Sequence, residues 1–139
     1  MGKVIKAHQL SPASKSGCLV VYVNPSEDIV KASISVGKKV ATALMNIEPH
    51  RRAKELDGVW CGIVASLPDG MTVTDMDVLF NPAYEIDVLR LLETSYRRKP
   101  YSIIWPGRYA CGKLTYSEAG YDDYQEYDIS DYDILLCAW

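Results

Sequence analysis

The run CLVVYV, Cys18 to Val23, constrains the fold more than any other stretch of this 139-residue chain. It is apolar without interruption, rich in valine, and ended by Asn24-Pro25. A half-exposed strand alternates apolar and polar residues, whereas a continuous apolar run belongs to a strand that is buried on both faces. Such strands are typical of parallel sheets covered by helices, so the run predicts an α/β domain.

The segments that follow alternate between strand and helix patterns. Apolar or β-branched runs predict further strands over 59–65, within 72–80, over 101–105 and over 132–139. Helical spacing predicts a helix over 28–46 and a clearer one over 84–99, which Asp87 can cap and Pro100 stops. Residues 48–58 suit a short polar helix or turn. We therefore expect a mainly parallel sheet flanked by helices, with residues 106–128 added as a C-terminal β-hairpin.

The length of the chain fits a single domain over 1–139, in which residues 1–16 are expected to be flexible. No apolar run approaches the roughly 20 residues that cross a bilayer, and the N-terminus lacks a hydrophobic signal core. We therefore expect a cytoplasmic protein with no membrane partner. The cysteines at 18, 61, 111 and 137 form no pair at metal-ligand spacing, which favours buried thiols over a zinc site.

Charge is distributed unevenly along the chain. Residues 114–139 contain seven acids and no Lys or Arg, whereas residues 1–113 hold all 15 basic residues and 11 acids. The acids of 118–133 have no calcium-loop spacing, so a solvated hairpin is favoured over a metal cluster. An acidic C-terminal part repels phosphates, which makes it a poor nucleic-acid surface.

The stretch GRYACGK, Gly107 to Lys113, has the letters of a phosphate-binding loop, G-x-x-x-x-G-K-[ST], except that Leu114 replaces the hydroxyl residue. A working loop is followed at once by a helix, whose N-terminus faces the phosphates. Here Thr115 and Tyr116 favour a strand instead. We therefore predict a strand–turn–strand connection.

The usual place for a phosphate loop is directly after the first strand. Residues 25–31 contain no glycine, and the nearby Gly37-Lys38-Lys39 lacks both a glycine at 33 and a Ser or Thr at 39. A standard nucleotide cradle is therefore missing from both places. Lys38 and Lys39 remain candidate phosphate-binding residues.

Residues 74–130 resemble BrxF, the small P-loop protein of type 3 BREX phage-defence systems. The shared features are an acid-containing strand followed by L-F-x-P, a helix with D-x-L-R-L-L, a strand ending in W-P-G-x-Y, and a G-K-L-T-Y hairpin. In this chain they occupy Leu79–Pro82, Asp87–Leu92, Trp105–Tyr109 and Gly112–Tyr116.

This resemblance implies a P-loop-NTPase-like α/β core with a degenerate nucleotide site. It places Asp75 or Asp77 where a Walker B acid would act on magnesium. In a strand the two carboxylates would also point to one face. Alternatively, they cap a turn or face solvent. We expect no cofactor, although Mg-ATP remains an alternative.

The tyrosines concentrate in the acidic C-terminal part, and tyrosine is favoured at the centre of protein interfaces. This makes the hairpin a candidate partner-binding face, and ordinary cross-strand tyrosine packing is the alternative. The candidate residues are Tyr109, Tyr116, Tyr121, Tyr124 and Tyr127.

Basic residues occur in three groups, at 38–39, 50–54 and 97–99, which could meet on one DNA-binding surface or lie apart as solvated helix ends. The two histidines, His8 and His50, accompany no recognisable nucleophile motif, so no catalytic residue is predicted.

The sequence therefore favours an accessory component of a BREX-type defence system that binds larger proteins of that system and either does not hydrolyse nucleotide or binds it only weakly. One alternative is an active Mg-ATP-dependent NTPase with an unorthodox loop. A second alternative is a small DNA-binding module.

Overall fold

The structure, a computed structural model, describes residues 3–6 and 18–138. Its strands, in chain order, are β1 (Lys3–Lys6), β2 (Leu19–Val23), β3 (Ile34–Ser35), β4 (Thr72–Thr74), β5 (Ser102–Ile104), β6 (Arg108–Ala110), β7 (Lys113–Tyr116), β8 (Gln125–Asp128) and β9 (Ile134–Ala138). Six of these form a sheet of order β1-β9-β2-β5-β4-β3, in which every strand pairing is parallel. The predicted α/β class with a mainly parallel sheet is therefore confirmed.

The strand that CLVVYV predicted lies at the centre of this sheet. β2 pairs with β9 on one side and with β5 on the other. Because side chains alternate across a strand, Leu19 and Val21 face one side of the sheet while Val20 and Tyr22 face the other. All four side chains are almost fully buried, which is why the sequence run carries no polar residue.

Helices cover the sheet, and those of the described residues are α1 (Glu27–Ala32), α2 (Gly37–Met45), α3 (Arg52–Ala65) and α4 (Val88–Arg98). Buried side chains of α2, α3 and α4 share the larger core with one face of β2. Ile29 of α1 packs with the opposite face. The helices thus flank both faces, as the apolar strand pattern requires.

The helix predicted over 84–99 is confirmed as α4. The Asp87 carboxylate accepts a hydrogen bond from the backbone N–H of Arg90 at 3.0 Å and so caps the first turn. Arg97 and Arg98 lie in the last turn, where the partial negative charge of the helix end favours them.

The strand predicted over 59–65 is wrong, because these residues form the second half of α3. Leu56, Trp60 and Val64 are its buried residues, at the four-residue spacing of one helix face. The apolar letters between them, such as Val59 and Ile63, are only partly buried. Because apolar residues occur on more than one side of this helix, the sequence of 59–65 has the continuous apolar pattern of a buried strand.

The helix predicted over 28–46 is divided into two. α1 ends at Ala32, β3 forms the edge of the sheet, and α2 begins at Gly37. The β-branched residues Ile34 and Val36 lie at this break, where an extended backbone suits them better than a helix does.

The predicted C-terminal hairpin is a separate antiparallel sheet of three strands in the order β6-β7-β8. Within the predicted flexible segment 1–16, residues 3–6 form β1, which pairs with β9. The other residues of that segment lie outside the described part of the chain.

Candidate functional site

The carboxyl-terminal edge of the parallel sheet brings the predicted acid and the predicted phosphate-binding segment together. Asp75 follows β4 with a left-handed φ of 64°, and its Oδ2 accepts a hydrogen bond from Ser35 Oγ at 2.8 Å. A Cβ atom added to Gly37, the first residue of α2, would lie 2.4 Å from the same Oδ2. The Asp75 carboxylate therefore fills the space that this glycine leaves at the start of α2.

This arrangement decides which ions the start of α2 can accept. A helix N-terminus attracts anions, because its free N–H groups carry partial positive charge. Here the protein's own Asp75 carboxylate lies against this end of the helix, where its charge opposes the approach of a phosphate group. Lys38 and Lys39 are exposed in the first turn of α2. The two lysines add positive charge at the same end of α2 that the Asp75 carboxylate contacts.

Asp77 lies apart from Asp75. β4 ends at Thr74, the intervening Met76 is fully buried, and Asp77 begins a 3₁₀ helix over Asp77–Phe80. Burial and the neighbouring Asp77 carboxylate raise the pKa of Tyr116 to about 12. The expectation that both carboxylates share one strand face is therefore corrected: Asp75 contacts Ser35, whereas Asp77 lies beside the hairpin sheet.

The segment after β2, where a phosphate loop would lie, is a turn of different chemistry. Asn24 has a φ of 49° and leads through Pro25 to Ser26, which precedes α1. The first turn of α1 carries two exposed acids, Glu27 and Asp28. Their negative charge repels phosphates from the start of α1.

The stretch GRYACGK forms β6, a turn and the start of β7, so the strand–turn–strand prediction is confirmed. Ala110 pairs with Lys113, which leaves Cys111 and Gly112 as a two-residue turn. Their φ angles of 52° and 78° match the type I′ turns that suit twisted hairpins. The glycine that resembled a phosphate-loop residue therefore serves this turn.

Gly107 serves the junction between the two sheets. A Cβ atom there would lie 1.9 Å from the carbonyl oxygen of Thr115 in β7. That oxygen accepts a hydrogen bond from Trp105 Nε1 at 2.9 Å. Trp105 follows β5 of the parallel sheet, so this bond and the close approach at Gly107 join the hairpin sheet to the core.

Aromatic rings extend this junction through the core. Phe80 stacks on Tyr116 with ring centroids 3.9 Å apart and contacts Trp105 edge-on at 5.5 Å. Tyr127 of β8 contacts both Trp105 and Tyr132 edge-on. Aromatic pairs of this geometry contribute about 0.5–1.5 kcal/mol each beyond burial, so the hairpin sheet is held firmly.

A polar network fixes the other end of this row of rings to α4. The Tyr132 hydroxyl donates to the cap residue Asp87 at 2.6 Å, and the Arg90 guanidinium lies over the Tyr132 ring at 4.4 Å. Arg90 also forms an ion pair of 2.5 Å with the buried Glu93, which accepts a further hydrogen bond from the backbone N–H of Asp133. The start of β9 is thereby tied to α4.

Sequence reasoning identified Asp87 as a cap but missed the buried carboxylate of Glu93 and its partners. Nothing in the polar spacing of the helix distinguishes Glu93 from an exposed glutamate. Its neighbours at 131–133 are remote in sequence, so only folding shows that they meet.

The candidate partner-binding tyrosines differ in exposure. Tyr121 is 64% exposed, and Tyr124 is partly exposed with its hydroxyl donating to Glu126 at 2.9 Å. Tyr109 and Tyr116 are partly buried, and both pack against the core. The candidate set is corrected at Tyr127, because its ring is only 4% exposed and cannot be presented to a partner.

Two basic residues of the proposed DNA-binding groups form hydrogen bonds with backbone carbonyl oxygens inside the protein. Arg52 Nε donates to the carbonyl oxygens of Leu44 and Ile47 near the end of α2, at 2.8 and 3.0 Å. Lys99 Nζ donates to the carbonyl oxygens of Ala65, at 3.0 Å, and Leu67. These residues stabilise helix ends, and the groups at 50–54 and 97–99 are thereby less available to DNA.

The histidines and cysteines form no shared cluster in the described part of the chain. His50 lies 3.4 Å from Glu48 on the surface, and His8 lies outside the described residues. Cys137 is buried, Cys18 and Cys61 are partly buried, and Cys111 is exposed. Within residues 3–6 and 18–138, no cluster of three or more His, Cys, Asp or Glu could hold a metal ion. No helix of this part of the chain is long and apolar enough to cross a membrane.

No protein-family model matches the chain, and no curated protein or solved structure shows significant similarity to it.

Proposed function

We propose that this chain is an accessory component of a prokaryotic phage-defence system of the BREX type, in which it assembles larger proteins and does not hydrolyse nucleotide. The observation that carries the proposal is the separate hairpin sheet. It belongs to the acidic end of the chain, is fixed to the core by Trp105 and Gly107, and exposes Tyr121. A preorganised surface of this kind binds a partner with little loss of conformational entropy.

The residues that carry the resemblance to the BrxF family support the proposal by their positions. Phe80 of L-F-x-P, Trp105 of W-P-G-x-Y and Tyr116 of G-K-L-T-Y lie in one row of contacting rings. Asp87 and Arg90 of D-x-L-R-L-L both contact Tyr132. The residues of the sequence pattern thus lie at the junction that positions the hairpin sheet, which supports a role in assembly.

The charges around the sheet edge support the absence of hydrolysis. Asp75 occupies the start of α2, and Glu27 and Asp28 occupy the start of α1. A triphosphate would have to approach carboxylates at either helix, where a working loop offers N–H groups and glycines.

Recovery of partners from cells that express the rest of the defence operon tests this proposal. Tyr121→Ala combined with Tyr124→Ala should reduce the recovery of the larger defence proteins about tenfold. This is the loss of affinity expected when the two truncated tyrosines together contribute roughly 1–2 kcal/mol to binding. Met45→Ala, which truncates a side chain 75% exposed on α2, is the matched control. Unchanged recovery with the tyrosine variant would exclude the hairpin sheet as the contact surface.

An active NTPase is the second candidate, and one observation favours it. Ligands of open α/β sheets bind outside the carboxyl ends of the strands. Asp75 lies at that edge, beside the segment that carries Lys38 and Lys39. Magnesium held by Asp75 would also remove part of the repulsion between this carboxylate and a phosphate.

Calorimetric titration with Mg-ATP separates the two candidates. The assembly proposal predicts no binding heat with millimolar Mg-ATP and folded protein. Saturable binding that is lost in Asp75→Asn but kept in Asp69→Asn would favour the NTPase, since Asp69 is an exposed acid in a turn away from this edge.

A further inference from the structure

A cleft lies between the L-F-x-P segment and the loop that leads into β8. Its volume is about 220 Å³. Pro82 and the partly exposed Ile86 form its apolar wall, with Leu79, Phe80 and Val88 almost fully buried behind them. Two acids and two amides complete the lining. The lining residues are Leu79, Phe80, Asn81, Pro82, Glu85, Ile86, Val88, Asp122 and Gln125.

The size of the cleft limits what can occupy it. Pockets for drug-sized ligands and cofactors usually measure about 300–1,000 Å³. This cleft is smaller, and its volume suits one long side chain of a partner. Interface hot spots are often single large residues that fill such a pocket.

The charge of the cleft selects the sign of its occupant. Glu85 and Asp122 are exposed and, within the described part of the chain, neither forms an ion pair. No Lys or Arg among the described residues lines the cleft. The carboxylates of Asp77 and Asp123 lie near Tyr116, whose ring stacks on the lining residue Phe80. The local field is therefore negative and favours a cation.

The backbone around the cleft is already set in place. Asn81 Oδ1 accepts a hydrogen bond from the Ala83 N–H at 2.9 Å, and Glu85 adopts a left-handed φ of 49° that ends a second 3₁₀ helix, over Pro82–Tyr84. Phe80 is fixed from the other side by Trp105 and Tyr116. A ligand would therefore meet walls that need little rearrangement.

We propose that this cleft receives an arginine side chain from a protein partner, with the methylene stem on the apolar wall and the guanidinium at Glu85 and Asp122. Arginine suits it better than lysine, because its planar group offers five donors to carboxylate and amide oxygens and is more weakly hydrated. The inference rests on the proposed assembly function and names the chemistry that the partner presents.

Two-dimensional NMR of the full chain tests the proposal, with the peptide acetyl-Gly-Arg-Gly-amide as the probe. Millimolar affinity is expected for one anchor residue, with shift changes concentrated at residues 79–88 and 122–125. The peptide with citrulline in place of arginine is nearly the same shape but uncharged, and should bind at least fivefold more weakly. Equal shifts with both peptides, or arginine shifts outside these residues only, would overturn the proposal.

A charge-matched pair of variants completes the test. Glu85→Gln with Asp122→Asn should weaken arginine binding at least fivefold, since it removes two surface ion pairs. Glu27→Gln with Asp28→Asn changes the net charge equally at exposed positions on α1 and should bind as the unaltered protein does. Equal loss in both variants would mean that only the overall charge attracts the peptide, which contradicts a specific cleft.

The same cleft variant in the partner-recovery experiment separates this inference from the proposed function. If recovery falls with the tyrosine variant and stays unchanged with Glu85→Gln and Asp122→Asn, the hairpin sheet binds the partner but the arginine cleft is refuted. If the peptide binds as expected and the tyrosine variant recovers every partner, the cleft stands and the hairpin surface fails.

Discussion

Replacement of Gly107 by alanine is the sharpest test of the junction between the two sheets. The added Cβ would lie 1.9 Å from the Thr115 carbonyl oxygen and 2.9 Å from Trp105 Nε1. A carbon and a carbonyl oxygen normally approach to about 3.3 Å, so β7 must move away by about 1.4 Å. The obstacle is a backbone atom within a paired strand, which cannot rotate aside as the end of a side chain could.

The free-energy cost of moving β7 comes from the hydrogen bond that is lost and from the strain that is introduced. The hydrogen bond from Trp105 Nε1 to Thr115, at 2.9 Å, would be lost, and an unsatisfied donor of a buried side chain costs about 1–3 kcal/mol. Strain from overpacking adds about 1–3 kcal/mol. We therefore expect Gly107→Ala to lower the free energy of unfolding by about 4 kcal/mol and the Tm by about 10–15 °C.

Urea and thermal unfolding measure both quantities, and α3 supplies a matched control. A Cβ at Gly62 would meet no heavy atom within 4 Å, and the residue lies inside a helix. Gly62→Ala should therefore stabilise the protein by about 0.5–1 kcal/mol, because alanine is the better helix former. The reasoning is refuted if Gly107→Ala unfolds within 1 kcal/mol of the unaltered protein, or if the two substitutions change stability in the same direction.

Three further predictions concern the acids and tyrosines near the sheet edge and α4. Gly37→Ala should destabilise the protein by about 1–2 kcal/mol in urea unfolding, because its Cβ displaces Asp75; an unchanged midpoint would contradict that contact. Glu93→Gln should cost about 1–2 kcal/mol, since it removes the ion pair with the half-exposed Arg90, and a gain in stability would contradict the network. Above pH 10 the folded protein should lose stability toward pH 12, because the pKa of Tyr116, raised to about 12 by burial and Asp77, lets the unfolded chain release its proton first. Ultraviolet titration should show late tyrosinate formation, and a normal titration of every tyrosine would refute this.

The sequence predicted the sheet better than it predicted the helices that cover it. A central parallel strand must be apolar on both faces, and the run CLVVYV carries that pattern without interruption. α3 is different, because its buried face of Leu56, Trp60 and Val64 is flanked by further apolar residues that are only partly buried. Periodicity cannot distinguish such a segment from a buried strand when the apolar stretch is short.

The candidate site was predictable in its residue types but not in its geometry. Asp75 and Asp77 alternate in sequence, yet a left-handed residue and a 3₁₀ helix direct them to different neighbours. Local propensity does not predict this change of direction, because the change depends on how the buried side chain of Met76 packs in the core. The prediction that Tyr127 is available to a partner was wrong for a similar reason, because the sequence does not distinguish the exposed tyrosines of a hairpin from the buried ones.

The two glycines of GRYACGK explain why a phosphate-loop pattern can arise without a phosphate. Gly112 is needed for a positive φ in a tight turn, and Gly107 is needed because a carbonyl oxygen approaches its Cα. A phosphate loop requires glycine for the same two physical reasons, with the ligand in place of Thr115. The spacing therefore reports one crowded backbone position and one position of positive φ, five residues apart. The two cases differ in the element that follows the second glycine, which is a helix in a phosphate loop and the strand β7 here. The backbone N–H groups of β7 point toward β6 and β8, so they do not converge on an anion.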